Sequence, residues 1–299
     1  MSAKVETHPL GTTEMNVSRL GLGTSELGYG HLPLAQARAL FNGALDAGLN
    51  LIDTGECYGS AEELIGQALS KRRHQYYLMS KCGHMDGVWP GNWEPSSIAA
   101  SIERSLRRLR TDVIDVLFLH SCEESVLRQG DAIAALEKAR GQGKIRYLGY
   151  SGDGAAARYA VECGAFAVLE ISVSIADQEA LELVLPLARA RGIGVVAKRP
   201  IANAAWLTEQ PANNYVRPYW ERLRQLNYPF LHRPEAVATA LRFTLSTPGI
   251  DTAIVGTTKP QRWRSNLELL SQGALPADVY QAIRERWQQV AQPDWVGQR

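Results

Sequence analysis

The sequence predicts an α/β fold, a closed (β/α)8 barrel occupying a single domain over residues 1–299. Three observations predict it. Short apolar runs recur along the chain, segments with apolar residues at three-and-four spacing separate them, and no linker or shift in composition divides the sequence. A barrel of this kind takes roughly 250 residues, which leaves room for additions at both ends.

The elements follow in order. Residues 6–17 read as a small hairpin that closes one end of the barrel, with its turn near Gly11. Candidate strands lie at 20–24, 49–53, 76–81, 113–120, 145–151, 167–171, 194–198 and 252–256. Helical spacing is clearest over 34–47, 61–69, 98–109, 133–139 and 180–190. Such alternation means parallel strands joined by helical crossovers. Gly48 and Gly192 follow helical stretches as stop signals, and Pro95 stands near the start of the third helix. Eight runs with helices between nearly all of them favour closure over an open sheet, and the irregular period excludes a repeat array.

Two loops and a tail break the rhythm. Residues 84–97, rich in Gly, Trp and Pro, follow the third strand. Residues 203–232 form a long excursion after the seventh, carrying Trp206, Tyr215, Tyr219, Trp220 and Tyr228. Beyond Pro276 the chain reads as an extra helix, with Trp287 and Trp295. Aromatic-rich loops either wall a site or pack onto the barrel, and both readings stay open here.

Composition narrows the partners. A net charge of +1 gives no general electrostatic reason to bind nucleic acid or an anionic membrane. No apolar run approaches the roughly 20 residues of a membrane span. Residues 1–9 are polar and lack the pattern of a secretion signal, which points to the cytoplasm. No apolar stripe argues for a particular oligomer, and a monomer is compatible with the sequence. Cys57, Cys82, Cys122 and Cys163 form no CxxC pair and read as reduced thiols. Three of them neighbour polar residues of interest, so a zinc enzyme is a competing reading, but scattered Cys and His rarely make a metal site and none is expected.

Four polar residues stand at or just beyond strand ends: Asp53, Tyr58 five residues on, Lys81 and His120. In a barrel these ends converge on the face where active sites lie. A free tyrosine has a pKa of about 10, too high for easy proton exchange at neutral pH. An adjacent ammonium favours the phenolate, and a carboxylate beside the lysine keeps it charged. Asp53, Lys81 and Tyr58 are expected to form such a chain, with Tyr58 as a tuned general acid and His120 orienting a substrate carbonyl. Each has a plainer alternative: a structural ion pair, a packing tyrosine, a core histidine. Their common face weighs against those alternatives.

These residues carry a resemblance. LIDTGECYGSAEELIGQAL resembles the signature of the aldo-keto reductase family, YYLMSKCG its strand ending in Lys and DVLFLHS its strand ending in His. VSRLGLGTSELG is similar to the first strand, IRYLGYSG to the fifth, and TAIVGTTKPQRWRSNLELL to the phosphate-binding end. The likeness runs from about Leu10 to Leu270. It implies a TIM barrel that binds NADP(H) across its C-terminal face and reduces a small-molecule aldehyde or ketone by hydride transfer while Tyr58 protonates the oxygen. No Rossmann domain is required, and GLGTSELG and GQGK lack GxGxxG spacing.

The resemblance also implies the remaining contacts. Thr257 and Thr258 are expected at the start of the last barrel helix, where free backbone N–H groups favour anions. Lys259 and Arg262 add positive charge, and Arg262 and Asn266 share a helical face; together they are expected to grip the 2′-phosphate and adenine. Thr24, Asp53, Pro200 and Gly256 complete the expected cofactor set, and Trp89, Trp93 and Trp220 are candidate substrate walls. The family's Ser-Asn pair after the fifth strand appears here as Ser151 and Gly152, its Gln on the sixth as Glu170, and its stacking aromatic on the seventh as Lys198. Lys198 cannot stack in the same way; with Arg199 it is expected to reach the pyrophosphate instead. This altered pocket leaves room for a second reading, a nicotinamide-binding regulatory or sensor subunit with little turnover, against which the complete tetrad argues.

Overall fold

The first hairpin explains how the barrel is stoppered. β1 (Thr7–Pro9) and β2 (Asn16–Ser18) pair antiparallel, His8 opposite Val17, with Gly11 in the connection. Leu10, Met15 and Val17 are fully buried against Leu51, Met79, Val116, Phe118, Val168 and Val196, the inward side chains of the barrel. An apolar plug at that end removes barrel side chains from water without ligand or loop, as the sequence predicts. The computed structural model describes residues 5–30, 32–85 and 91–298.

After the hairpin come β3 (Leu20–Gly23), α1 (Ser25–Tyr29), α2 (Leu34–Asp46), β4 (Leu51–Asp53), α3 (Ala61–Leu69) and β5 (Tyr77–Cys82). α4 (Pro95–Leu109), β6 (Ile114–His120), α5 (Glu124–Gln129), α6 (Asp131–Gly141), β7 (Ile145–Ser151) and α7 (Gly154–Glu162) continue the alternation. β8 (Val168–Ser172), α8 (Ala180–Leu183), α9 (Leu185–Ala190) and β9 (Gly194–Lys198) bring the ring to seven of its eight strands. α10 (Arg217–Leu226), α11 (Ala236–Ser246), β10 (Thr252–Gly256), α12 (Arg262–Leu270) and α13 (Ala277–Val290) finish the chain. β3 to β10 are parallel and close on themselves: Ala253 of β10 stands beside Leu20 of β3 and Thr252 beside Val196 of β9. The expected (β/α)8 TIM barrel is the observed fold.

Differences from the predicted spans have local causes. The second barrel strand starts at Leu51 because the Leu49 amide donates to Ala44 O and so completes the stop of α2. The stretch 180–190 breaks at Val184 (φ −122°, ψ −49°), just before Pro186, which has no N–H to carry a helix through. α4 begins at Pro95 rather than 98, since proline suits the first helical turn.

The long excursion is largely a second core. Tyr219 and Tyr228 are buried with Leu223, Ile283, Trp287 and Trp295, so α10 and the extra C-terminal helix α13 hold each other on the barrel's flank. Packing is therefore the role of most of those aromatics; Tyr215 is exposed. Among the described residues, no helix is long and apolar enough to cross a membrane.

Candidate active site

The C-terminal ends of the barrel strands surround a cavity of about 730 Å³, with Gly23, Asp53, His120, Lys198 and Gly256 at strand ends and Glu170 inside β8. The volume falls in the range of pockets that hold small ligands. Tyr58, Cys57 and Tyr29 line one side, and Arg199, Pro200, Asn213, Tyr215 and Gln298 the other.

Tyr58 reaches the cavity from the loop between β4 and α3, and glycine makes that loop possible. A Cβ on Gly28 of α1 would stand 1.7 Å from Tyr58 O, and Gly59 takes φ of 52° beside the Gly28 carbonyl. Only glycine tolerates both the contact and the left-handed backbone. Tyr29 donates to Cys57 O at 2.8 Å, and its ring lies 6.1 Å from that of Tyr58. His120 meets Tyr58 edge-on at 5.9 Å; Cys57 Sγ lies 3.4 Å from His120 Nδ1, and His84 Nε2 stands 2.6 Å from the His120 carbonyl.

Beneath Tyr58 lies a buried charge network. Lys81 Nζ donates to Asp53 Oδ1 at 2.6 Å, Asp53 Oδ2 at 2.7 Å and Thr54 O at 2.9 Å, and stands 5.0 Å from the Tyr58 ring centroid. Asp53, Tyr58, Lys81 and His120 thus come together as the sequence predicts. A second carboxylate joins them: Glu170 Oε2 is 3.2 Å from Lys81 Nζ. Burial opposes charge on Lys81, yet Asp53 and Glu170 outweigh it and hold the ammonium well above its usual range. Burial and the charge of Glu170 push Asp53 well up, whereas Glu170 is held down, against burial, by Lys81 and Lys198.

These fields correct one expectation. Lys81 does favour the Tyr58 phenolate, but burial is the larger effect and Asp53 and Glu170 add to it, so the phenol is raised well above its ordinary value. Tyr58 is a firmly protonated donor rather than an easily ionised one. His120 is pushed well below its usual value by burial and then by Lys81 and Lys198, which leaves a neutral imidazole.

The positions where the sequence departs from the family pattern form their own cluster. Lys198 Nζ is 3.1 Å and Arg199 Nη2 3.4 Å from Asp153 Oδ2, and the Asp153 carboxylate accepts from Ser172 N at 2.6 Å and Ser172 Oγ at 2.9 Å. Arg199 also donates to Gln298 O at 2.7 Å and to the Tyr215 hydroxyl, which ties the C-terminal tail to the cavity rim. Ser151 Oγ donates to Glu170 Oε1 at 3.2 Å and Gly152 N to Glu170 O at 3.1 Å, so both support Glu170 from behind and neither lines the cavity.

Thr24 lines the cavity and donates through Oγ1 to Asp53 O at 2.9 Å. At the other end α12 starts at Arg262, after Pro260, so Thr257 and Thr258 lie in the loop before the helix rather than at its start. Thr257 Oγ1 instead accepts from Lys259 N at 3.1 Å. Lys259 and Arg262 are exposed, while Asn266 is buried, so the shared face expected for Arg262 and Asn266 is split between solvent and core. Trp89 lies outside the described residues. Trp93 packs edge-on against His84 at 5.3 Å, and Trp220 donates to Thr208 O at 3.0 Å beneath Arg224. Neither lines the cavity, because each indole is held by a neighbour on its own loop or the adjacent turn.

Cys82 Sγ donates to Phe118 O at 3.5 Å, and the Cys122 carbonyl accepts from Tyr150 at 2.8 Å. Burial pushes the Cys57 thiol up to about 11 and the Cys122 thiol up to about 12. Among the described residues, no group of three or more His, Cys, Asp or Glu could hold a metal ion. Sequence reasoning missed Glu26, Tyr29, Asp153 and Gln298. Asp153, two residues past a strand end, carried a usable signal; Gln298, brought in by the tail, carried none.

The sequence pattern of the aldo/keto reductase family matches residues 19–288. The chain belongs to that family. Aldo/keto reductases are oxidoreductases that use nicotinamide cofactors. An uncharacterized oxidoreductase of Bacillus subtilis is 29% identical over 302 residues, covering 94% of this chain and 96% of its own. L-galactose dehydrogenase of Arabidopsis thaliana is 32% identical over 69% of this chain and 68% of its own. The NADH-specific methylglyoxal reductase of Escherichia coli is 28% identical over 91% of this chain and 95% of its own. Among solved structures, the holo form of an aldo-keto reductase from Bacillus halodurans superposes with a TM-score of 0.82 at 26% identity, covering 94% of this chain and 96% of that one.

Proposed function

We propose that this aldo/keto reductase reduces an aldehyde or ketone to the alcohol with NADP(H), Tyr58 acting as the general acid. One observation carries the reading: Lys81, bound by both oxygens of Asp53, stands 5.0 Å from the ring of a cavity-facing Tyr58. The residues fit a nicotinamide dinucleotide, since the cavity offers about 730 Å³ with amide donors on Asn213 and Gln298 and exposed cations Lys259 and Arg262 follow its Gly256 edge. When bound, the cofactor supplies a hydride to the carbonyl carbon.

The chain's own residues do the rest. Tyr58 gives its O–H proton to the carbonyl oxygen as the C–H bond forms, which yields the alcohol and leaves a phenolate beside the Lys81 ammonium. That ammonium stabilises the phenolate until a solvent proton restores it. Neutral His120 orients the carbonyl. Glu170, backed by Ser151 and Gly152, would face the nicotinamide end, Lys198, Arg199 and Pro200 the diphosphate, and Thr257, Thr258, Lys259 and Arg262 the adenosine phosphate above the buried Asn266, with Thr24, Asp53 and Gly256 between. The four free cysteines suit a reducing cytoplasm, and one domain carries the whole site.

Tyr58→Phe tests the reading: carbonyl reduction should fall by about 10²–10⁴-fold while nucleotide affinity stays put. Full turnover in that variant would remove the proposed acid. The charged Glu170 and Lys198 in the nicotinamide pocket favour the alternative of a cofactor-binding sensor. Absence of aldehyde-dependent NADPH oxidation by wild-type protein, with NADPH still bound, would select it.

A further inference from the structure

The barrel wall is bare at the end of β10. Gly256 has no side chain, and the groups nearest to where a Cβ would stand are the carboxyl carbon and Oε1 of Glu26, 3.4 and 3.5 Å away. Glu26 comes from α1, is exposed, and lines the same cavity as Gly256, Thr24 and Asp53. Burial of part of the side chain raises the Glu26 carboxyl above its ordinary range, and Arg262, the first residue of α12, is the cation that pulls it back. A protein carboxylate therefore occupies the corner between the barrel rim and the cation proposed to receive the adenosine phosphate.

We propose that Glu26 is a specificity-determining residue that opposes the extra phosphate of NADP(H) at Arg262 and so lets NAD(H) compete for the site. This rests on the reading that the cavity binds a nicotinamide dinucleotide. The physical argument is one of charge. A phosphate monoester brings close to two negative charges into a corner that already holds a carboxylate, and like charges at short range in a partly desolvated site repel. Arg262 must then leave the field of one anion to serve the other. Without that phosphate the adenosine ribose presents two neutral hydroxyls, which can donate to the Glu26 carboxylate, and no repulsion arises. Glu26 thus penalises one cofactor and imposes no such penalty on the other. Arg262 alone would predict a strong preference for the phosphorylated form; the pair predicts a narrow one.

The test is equilibrium binding, independent of turnover. Tryptophan fluorescence titrations would compare NADPH, NADH, 2′,5′-ADP and 5′-AMP on wild type, Glu26→Gln, and Glu26→Gln with Arg262→Gln. In the single variant the preference for NADPH over NADH should widen by about tenfold, through tighter NADPH, with 2′,5′-ADP following and 5′-AMP not. The gain should vanish in the double variant. A preference that moves by less than about twofold in a folded Glu26→Gln protein, or a gain that survives loss of Arg262, overturns the assignment while the cofactor reading stands. Wild-type protein that binds neither dinucleotide overturns both. Glu26 is exposed, so the glutamine variant should keep the wild-type circular dichroism.

Discussion

Lys81 and Glu170 meet across the barrel interior, Nζ 3.2 Å from Oε2, although β5 and β8 are not neighbours in the sheet. With Asp53 on its other side, one ammonium serves two buried carboxylates. Removing the charge of Glu170 relieves the repulsion between them and takes away one of the influences that raise Tyr58. Glu170→Gln should therefore shift the ionisation of Tyr58 downward, seen as an earlier rise of alcohol oxidation with pH. An unmoved pH profile would show that Glu170 does not act on Tyr58.

The same fields set the direction of the chemistry with pH. Tyr58 is held well above its usual value and His120 well below, so neither changes charge near neutrality. In the proposed reaction carbonyl reduction consumes a proton from Tyr58, which is protonated throughout, and its kcat should be flat from about pH 6 to 9. Alcohol oxidation needs the phenolate as acceptor and should climb about tenfold per pH unit over that range. A rise in reduction rate between about pH 6 and 7 would place an ionising imidazole in the step instead.

Much of this was legible in the chain. The eight apolar runs gave the barrel because burial on both faces leaves parallel strands no polar alternation, and Asp53, Lys81 and His120 were visible as polar residues ending such runs. Fold geometry, not sequence distance, then brought them to one cavity. What stayed hidden depends on contacts between remote elements. Nothing near Glu170 in sequence says that its carboxylate meets Lys81, and nothing near Gly256 says that Glu26 faces it. Trp220 looked like a substrate wall because aromatic content marks a loop as important, but its indole N–H found Thr208 O instead. The sign of the Tyr58 shift was missed because a lysine neighbour is readable from spacing, whereas the larger effect of burial is not.

Asp153 anchors Lys198 and Arg199 at the cavity. Burial pushes its carboxyl up, but Lys198 and Arg199 outweigh that and hold it below the ordinary range. A depressed carboxylate adds stability above its unfolded pKa of about 3.9 and loses it as pH falls through the folded value. Asp153→Ala would strand two largely buried cations and should cost about 3–5 kcal/mol in denaturant unfolding at neutral pH. The variant should also lose the share that Asp153 is expected to contribute to acid destabilisation below about pH 4. Wild-type stability in Asp153→Ala would mean that Lys198 and Arg199 are satisfied by other groups.

The last prediction concerns how Tyr58 is aimed. α1 presses on the Tyr58 carbonyl through Gly28, where a Cβ would stand 1.7 Å from the oxygen and 2.9 Å from Ala61 N. Both neighbours are backbone, so Gly28→Ala must move the loop rather than a flexible side chain. Overpacking of this kind costs about 1–3 kcal/mol. A displacement of the phenol on the order of 1 Å can lower turnover by about 100-fold. Gly141→Ala is the matched control: it lies at the end of α6 with nothing within 4 Å of its Cβ position, and should be neutral or gain about 0.4–1 kcal/mol. If Gly28→Ala lowers stability and leaves kcat at the control's level, α1 braces the fold but does not aim Tyr58. A loss in kcat well beyond the control, with nucleotide affinity kept, would show that a glycine thirty residues upstream sets the position of the acid.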